Sequence, residues 1–252
     1  LARRAKEAGV ARFVFFSSCS NYGAAGDAIL DETSALAPVT PYAVSKVRLE
    51  EELTRLADAR FAPVFLRNAT AYGVSPRLRL DLVLNNLVGW GLVTGQIVLL
   101  SDGTPWRPIV HVEDICRAAM LMLDAPLDTI RAQAFNIVPP GENYRIRELA
   151  AIVGEQLPEC AVMIADGATA DARNYRVSGD KLLAAFPGFR YEWNARRGAA
   201  ELVAAYRAHG LTRAEFDGPR FKRLGWLRGL LESGELAPDL RWRRHAPLAE
   251  SA

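Results

Sequence analysis

The chain has 252 residues, of which 50% are hydrophobic, and its 31 Lys and Arg against 29 Asp and Glu give a formal net charge of +2. These values exclude a disordered or fibrous protein, and no apolar run approaches the roughly 18 residues of a membrane span. Cys19, Cys116 and Cys160 are too widely separated to indicate a disulfide framework or a zinc module, and we expect a cytoplasmic protein. The hydrophobic content is sufficient for a large core.

The first predicted elements are a short charged helix and a buried strand. Residues 2–8 are typical of a helix that ends at Gly9, and the apolar run from Val10 to Phe16 ends in Ser17-Ser18-Cys19-Ser20. Such a run predicts a buried parallel strand whose carboxyl end presents hydroxyl groups. Ligands of open α/β sheets bind outside the carboxyl ends of the strands, so this segment is the first candidate site.

Strands and helices alternate further along the chain. Thr40 and Pro41 supply a cap and a first helical residue for a helix that runs to Leu56. Strand patterns follow at 62–67, 97–100 and 134–138, and helical patterns at 80–93, 115–123 and 146–157. Beyond about residue 160 charged helices dominate, and Thr212 to Glu215 has capping-box spacing. The alternation predicts an α/β fold with a mostly parallel sheet.

Tyr42 and Lys46 form the candidate reactive pair. They stand four residues apart on a predicted helix, so their side chains share a face. A lysine ammonium beside a phenol favours the phenolate, which can serve as an acid/base. The spacing alone is more typical of an ordinary pair on a solvent-facing helix. Ser18, at the carboxyl end of the first predicted strand, adds a third reactive group.

Five segments in order resemble the extended short-chain dehydrogenase/reductase family, specifically its NAD-dependent epimerase/dehydratases of nucleotide sugars. They are residues 13–18 with Tyr22-Gly23, then 41–46, 66–73, 102–115 and 135–137. The resemblance implies a Rossmann-type doubly wound parallel sheet with a smaller, mostly helical substrate domain. Residues 1–72 and 108–138 would form the C-terminal part of the NAD-binding domain, and residues 73–107 and 139–252 the substrate-binding domain with its C-terminal helices.

The resemblance also implies roles for individual residues. Tyr42 would be the acid/base at a sugar hydroxyl or ketone, Lys46 would hold the nicotinamide ribose, and Ser18 would hydrogen-bond the reacting oxygen. The expected contacts to NAD, with NADP left open, are Ser17, Tyr42, Lys46 and Arg67. The expected substrate-binding residues are Thr70, Asn85, Asn86, Arg107 and Arg173. Arginine suits a diphosphate because its guanidinium makes bidentate contacts, although a surface or salt-bridged role is the alternative.

Departures from the family pattern bear on the reaction. Sugar 4,6-dehydratases carry an acidic pair directly after the position of Ser18, whereas this chain has Cys19 and Ser20, which disfavours dehydration. Thr70 replaces the family's usual asparagine, so different contacts to the diphosphate are expected. The expected function is C4 epimerisation of a UDP- or dTDP-hexose through a keto intermediate. An NAD(P)H-dependent 4-ketoreductase and a non-catalytic dinucleotide-binding protein remain alternatives.

The glycine-rich turn with which the family begins does not occur before Gly23. The strand that ends at Ser18 resembles the family's fifth strand, so we expect a parent protein with on the order of 100 further N-terminal residues. This chain by itself is then expected to bind NAD poorly, to fold marginally and to be inactive.

The expected partners are a nucleotide-sugar substrate and a second copy of the chain in a homodimer. His111, His209 and His245 lack metal-ligand spacing, so no metal is expected. The basic and aromatic stretches at 220–228 and 241–244 are interpreted as a C-terminal helix docked on its own domain or on a partner subunit, so neither nucleic acid nor a membrane is expected as a partner.

Overall fold

A computed structural model of the chain describes residues 1–99, 101–165 and 174–243. Its elements in chain order are α1 (Ala2–Glu7), β1 (Arg12–Ser18), β2 (Ile29–Leu30), α2 (Pro41–Leu56), β3 (Ala62–Asn68), β4 (Thr70–Tyr72), α3 (Val83–Thr94), β5 (Gln96–Leu99), β6 (Trp106–His111) and α4 (Val112–Asp124). They continue with α5 (Leu127–Ile130), β7 (Gln133–Ile137), β8 (Asn143–Arg145), α6 (Ile146–Gln156), β9 (Ala161–Ile164), β10 (Arg176–Val177), α7 (Asp180–Ala185), α8 (Ala195–His209), α9 (Arg213–Asp217) and α10 (Arg223–Glu232).

The central sheet is parallel and has the strand order β1-β3-β7. Ser18 lies in register with Asn68, and Asn68 with Ile137, so the three strands end at the same edge. Strand β3 is buried from residue 62 to 67, as expected for a parallel strand that is covered on both faces. The predicted parallel α/β sheet is confirmed.

Helices α2 and α4 cover opposite faces of this sheet. Val64 and Leu66 share a hydrophobic core with residues of α4, whereas Arg67 bonds Glu50 of α2. Successive residues of a strand point to opposite faces, so the two helices lie on opposite sides of β3.

Helix α2 begins where the sequence predicts. The Thr40 hydroxyl accepts a hydrogen bond from the Ala43 amide at 3.1 Å, and Pro41 occupies the first turn, where its missing N–H is not needed. The spacing of four then places Tyr42, Lys46 and Glu50 along one face of the helix.

A second hydrophobic core is built from α3, α6, α8, α9 and β5. Its buried members include Leu84, Leu87, Val88, Ile97, Leu149, Val153, Leu202, Tyr206 and Phe216. Tyr175, Val177, Leu182 and Phe189 instead pack on the first core, although the predicted domain division groups them with the second. The division into an NAD-binding and a substrate-binding domain stays a prediction.

Several strands are not evident from the sequence pattern. Strand β6 contains Pro108, which removes a backbone donor, and β4 has only three residues, so neither shows a periodic signal. Strand β9 pairs in parallel with β5, although charged helical patterns dominate the sequence beyond about residue 160. Within the described ranges, no helix is long and apolar enough to cross a membrane.

Candidate active site

Lys46 connects helix α2 to the end of strand β1. Its Nζ donates a hydrogen bond to the Phe16 carbonyl at 2.7 Å and lies 4.7 Å from the Phe15 ring centroid and 5.5 Å from the Tyr42 ring centroid. Partial burial lowers the pKa of Lys46, because desolvation disfavours the ammonium. The Tyr42 side chain is exposed, so a ligand can reach its phenol. The predicted pair therefore lies against β1 two residues before Ser18.

Ser18 is held by its neighbour Ser20. The Ser18 Oγ accepts hydrogen bonds from the Ser20 amide at 3.1 Å and from the Ser20 hydroxyl at 2.8 Å. A hydroxyl oxygen has two lone pairs and one hydrogen, so these two bonds leave the Ser18 hydrogen available for donation. The Ser18 hydroxyl is therefore able to donate a hydrogen bond to a neighbouring group.

Cys19 points away from this position. Its side chain is fully buried, and its Sγ donates to the Arg67 carbonyl at 3.1 Å. Burial raises the pKa of the Cys19 thiol, since an apolar environment disfavours the thiolate. Cys19 is therefore a packed core residue and an unsuitable nucleophile or proton donor.

Ser17 and Arg67 lie in a buried polar network centred on Glu50. The Arg67 Nη2 donates to Glu50 Oε2 at 2.7 Å, and both side chains are less than a tenth exposed. The Ser17 hydroxyl donates to the same carboxylate, and Arg67 Nη1 donates to the Tyr22 hydroxyl at 3.0 Å. These bonds hold α2 to the ends of β1 and β3.

The predicted contact of Ser17 and Arg67 with a cofactor stays a prediction. In this structure both side chains form hydrogen bonds inside the protein.

Glu50 is a functional residue that the sequence analysis did not identify. Its spacing of four from Lys46 and eight from Tyr42 was the available signal, but a glutamate on a helix is also typical of an exposed surface.

Asn85 and Asn86 organise the loop before α3. The Asn85 Oδ1 accepts the Gly73 amide at 3.1 Å and its Nδ2 donates to the Arg79 carbonyl at 3.0 Å. The Asn86 Nδ2 donates to the Leu80 carbonyl at 2.8 Å. Both side-chain amides thus support local backbone, and their predicted contact with substrate stays a prediction.

Thr70 and Arg107 lie on paired strands, β4 and β6. Arg107 is buried, its Nη1 donates to the Trp106 carbonyl at 2.8 Å, and its guanidinium carbon lies 5.9 Å from the Tyr175 ring centroid. Arg173 lies outside the described residues. The structure therefore places Arg107 on a largely buried strand, next to the strand that carries Thr70.

The chain is similar to several known proteins. A model of the NAD dependent epimerase/dehydratase family matches residues 1–137. A UDP-glucose 4-epimerase of Bacillus subtilis (strain 168) is 28% identical over 171 residues, which are 60% of this chain and 50% of that protein. The uncharacterized UDP-glucose epimerase YtcB of the same strain is 30% identical over 128 residues, which are 50% of this chain and 39% of that protein. The chain spans half or less of the length of these two relatives.

Solved structures share the fold. MoeE5 in complex with UDP-glucuronic acid and NAD is 28% identical with a TM-score of 0.70, over 83% of this chain and 69% of that chain. DesIV, a dTDP-glucose 4,6-dehydratase from Streptomyces venezuelae with NAD bound, is 26% identical with a TM-score of 0.68, over 82% of this chain and 63% of that chain. These likenesses show that the sheet and its helices form a Rossmann-type fold.

Proposed function

Because the chain belongs to the NAD-dependent epimerase/dehydratase family, we propose that the protein inverts C4 of a UDP- or dTDP-hexose through a keto intermediate. Ser18, Tyr42 and Lys46 are the proposed catalytic residues. The observation that carries the proposal is the position of Lys46, whose ammonium contacts both the Phe16 carbonyl near the end of β1 and the Tyr42 ring. The UDP-glucose 4-epimerase from Bacillus subtilis supports it.

The surroundings of Lys46 fit a nicotinamide cofactor. An ammonium has three donors, and the Phe16 carbonyl uses one, so two remain for the hydroxyls of a ribose. Tyr42 would flank the same cofactor. Ser17 and Arg67 would line the cofactor site at the ends of β1 and β3, where both side chains bond the Glu50 carboxylate. NAD, when bound, would supply the hydride acceptor for C4 oxidation and the hydride donor for re-reduction on the opposite face of the keto sugar. NAD is bound in the solved MoeE5 and DesIV complexes.

Proton transfer is the task proposed for Tyr42. As a phenolate it removes the proton of the C4 hydroxyl during oxidation, and as a phenol it returns that proton to the ketone oxygen during reduction. The Lys46 ammonium lies 5.5 Å from the Tyr42 ring centroid, which places a positive charge beside the proposed acid/base. Ser18 donates a hydrogen bond to the same sugar oxygen, because Ser20 already satisfies its lone pairs.

The residues after Ser18 favour epimerisation over dehydration. Elimination of water from C5 and C6 needs a further acid and base, yet the Cys19 side chain is buried and the Ser20 hydroxyl donates a hydrogen bond to Ser18. Neither is a carboxylic acid. The proposed reaction is therefore oxidation and re-reduction of C4, carried out with NAD by a homodimer.

An assay without added cofactor tests the reaction. The full-length protein is incubated separately with UDP-glucose and with dTDP-glucose. Proton NMR then follows the configuration of the sugar at C4. Inversion at C4 without added cofactor supports the proposal. Turnover of a 4-keto sugar only with added NAD(P)H would identify a ketoreductase instead. Binding of a dinucleotide without any turnover would identify a non-catalytic protein.

Arg107 gives a prediction for substrate binding. In the proposal its guanidinium neutralises the diphosphate, so Arg107→Leu should raise KM about tenfold while kcat falls less than about threefold. Steady-state kinetics with the nucleotide sugar measure both values. Arg131→Leu, which removes an ion pair with Asp128 just before β7, is the control and should leave KM unchanged. An unchanged KM in Arg107→Leu would count against the assignment.

A further inference from the structure

Asn68 lies beside Ser18 at the carboxyl edge of the sheet. It is the last residue of β3 and the register partner of Ser18 on β1, whose backbone is extended there, with φ −152° and ψ 141°. Partners in register on neighbouring parallel strands project from the same face. The Asn68 carboxamide is therefore adjacent to the Ser18 hydroxyl, which in the proposed function donates a hydrogen bond to the reacting sugar oxygen.

The Asn68 side-chain oxygen has no protein partner. Its Oδ1 is buried, and none of the described residues donates a hydrogen bond to it. Buried polar atoms in native proteins are nearly always paired, because an unpaired one loses its hydration without compensation. Asn21 also has an unpaired Oδ1, but its Nδ2 is bonded to Ser17 and Glu50 within the buried network.

Asn136, one strand over, shows the usual arrangement. It is fully buried, its Oδ1 accepts the Tyr22 hydroxyl at 2.9 Å, and its Nδ2 donates to the Ser178 carbonyl at 3.0 Å. Two asparagines thus lie near the same edge of the sheet. The protein supplies hydrogen-bond partners for the side chain of Asn136, whereas the Oδ1 of Asn68 has no donor among the described residues.

We propose that Asn68 is a ligand-binding residue whose Oδ1 accepts a hydrogen bond from a hydroxyl or amide N–H of the bound ligand. This inference rests on the proposed function, since it assumes that the ligand's reacting oxygen lies at Ser18. The donor belongs either to the sugar, as a hydroxyl, or to the carboxamide of the nicotinamide. Because β3 is buried on both faces, its backbone holds the acceptor in a fixed place.

The test compares Asn68→Leu with the wild type in the full-length protein. Leu keeps the branch of Asn at Cγ and removes an unsatisfied oxygen, so the melting temperature without ligand should not fall. Affinity for the ligand that supplies the donor should fall about tenfold, which is the loss expected for one hydrogen bond in a binding site. Separate titrations with UDP-glucose and with NAD identify which of the two supplies it.

Asn136→Leu is the matched control. It removes two hydrogen bonds, so its melting temperature without ligand should fall well below that of the wild type. Asn68→Ala serves as a second variant that loses the acceptor without adding apolar bulk, and it should show the same loss of affinity.

The inference is overturned if Asn68→Leu lowers the ligand-free melting temperature as much as Asn136→Leu does, since Asn68 would then be structural. It is also overturned, with the proposed function intact, if both Asn68 variants bind UDP-glucose and NAD as tightly as the wild type. A wild-type protein that binds neither ligand would overturn the proposed function together with this inference.

Discussion

Tyr42→Phe is expected to lower kcat by a factor on the order of 10²–10⁴ while leaving the affinity for the nucleotide sugar almost unchanged. The substitution removes only the phenol oxygen, and that oxygen is the proposed acid/base. The ring would remain beside Lys46, whose Nζ lies 5.5 Å from the ring centroid, so the helix and the surface around it should be preserved. Initial rates and the dissociation constant for UDP-glucose, measured on the same preparation, give the comparison.

Tyr206→Phe is the control for this substitution. It removes a phenol oxygen that bonds the Asn85 carbonyl at 3.4 Å inside the second core, so it should keep near wild-type turnover. Turnover retained by Tyr42→Phe would refute the catalytic assignment. Turnover and sugar binding lost together, with a normal melting curve, would indicate that Tyr42 binds substrate and does not transfer its proton.

Glu50→Ala is expected to lower the free energy of unfolding by about 3–5 kcal/mol, because it leaves the buried Arg67 guanidinium without its counter-ion. The pair joins α2 to β3 at 2.7 Å, and the Glu50 carboxylate also accepts the Ser17 hydroxyl and the Asn21 amide. Urea denaturation followed by circular dichroism measures the loss.

Glu51→Ala controls for helix propensity and surface charge. Glu51 is exposed on the same helix, so its replacement should change the free energy of unfolding by less than about 0.5 kcal/mol. The double variant Glu50→Met with Arg67→Met should recover much of the loss, since apolar residues of similar volume often replace a buried ion pair without cost. A loss below about 1 kcal/mol in Glu50→Ala would show that the pair is hydrated and contributes little.

The sequence by itself determined the features that depend on residues close together in the chain. The Thr40 cap and Pro41 begin helix α2, and the spacing of four places Tyr42 and Lys46 on one face of it. The apolar run that ends at Ser18 forms a strand. Each of these follows from local hydrogen bonding, backbone restriction and periodicity, which act within a few residues. The family pattern then followed from such segments in order.

Only the tertiary structure decided which side chains are already engaged and which can meet a ligand. Ser17, Glu50 and Arg67 are distant in sequence and meet because α2 docks across β1 and β3. Asn68 lies beside Ser18 because of the register of two parallel strands, which no local pattern specifies. Burial and the choice of hydrogen-bond partner depend on packing between segments that are remote in sequence. The sequence alone therefore does not tell whether a serine, asparagine, glutamate or arginine lies on the surface, stabilises the fold or contacts a ligand.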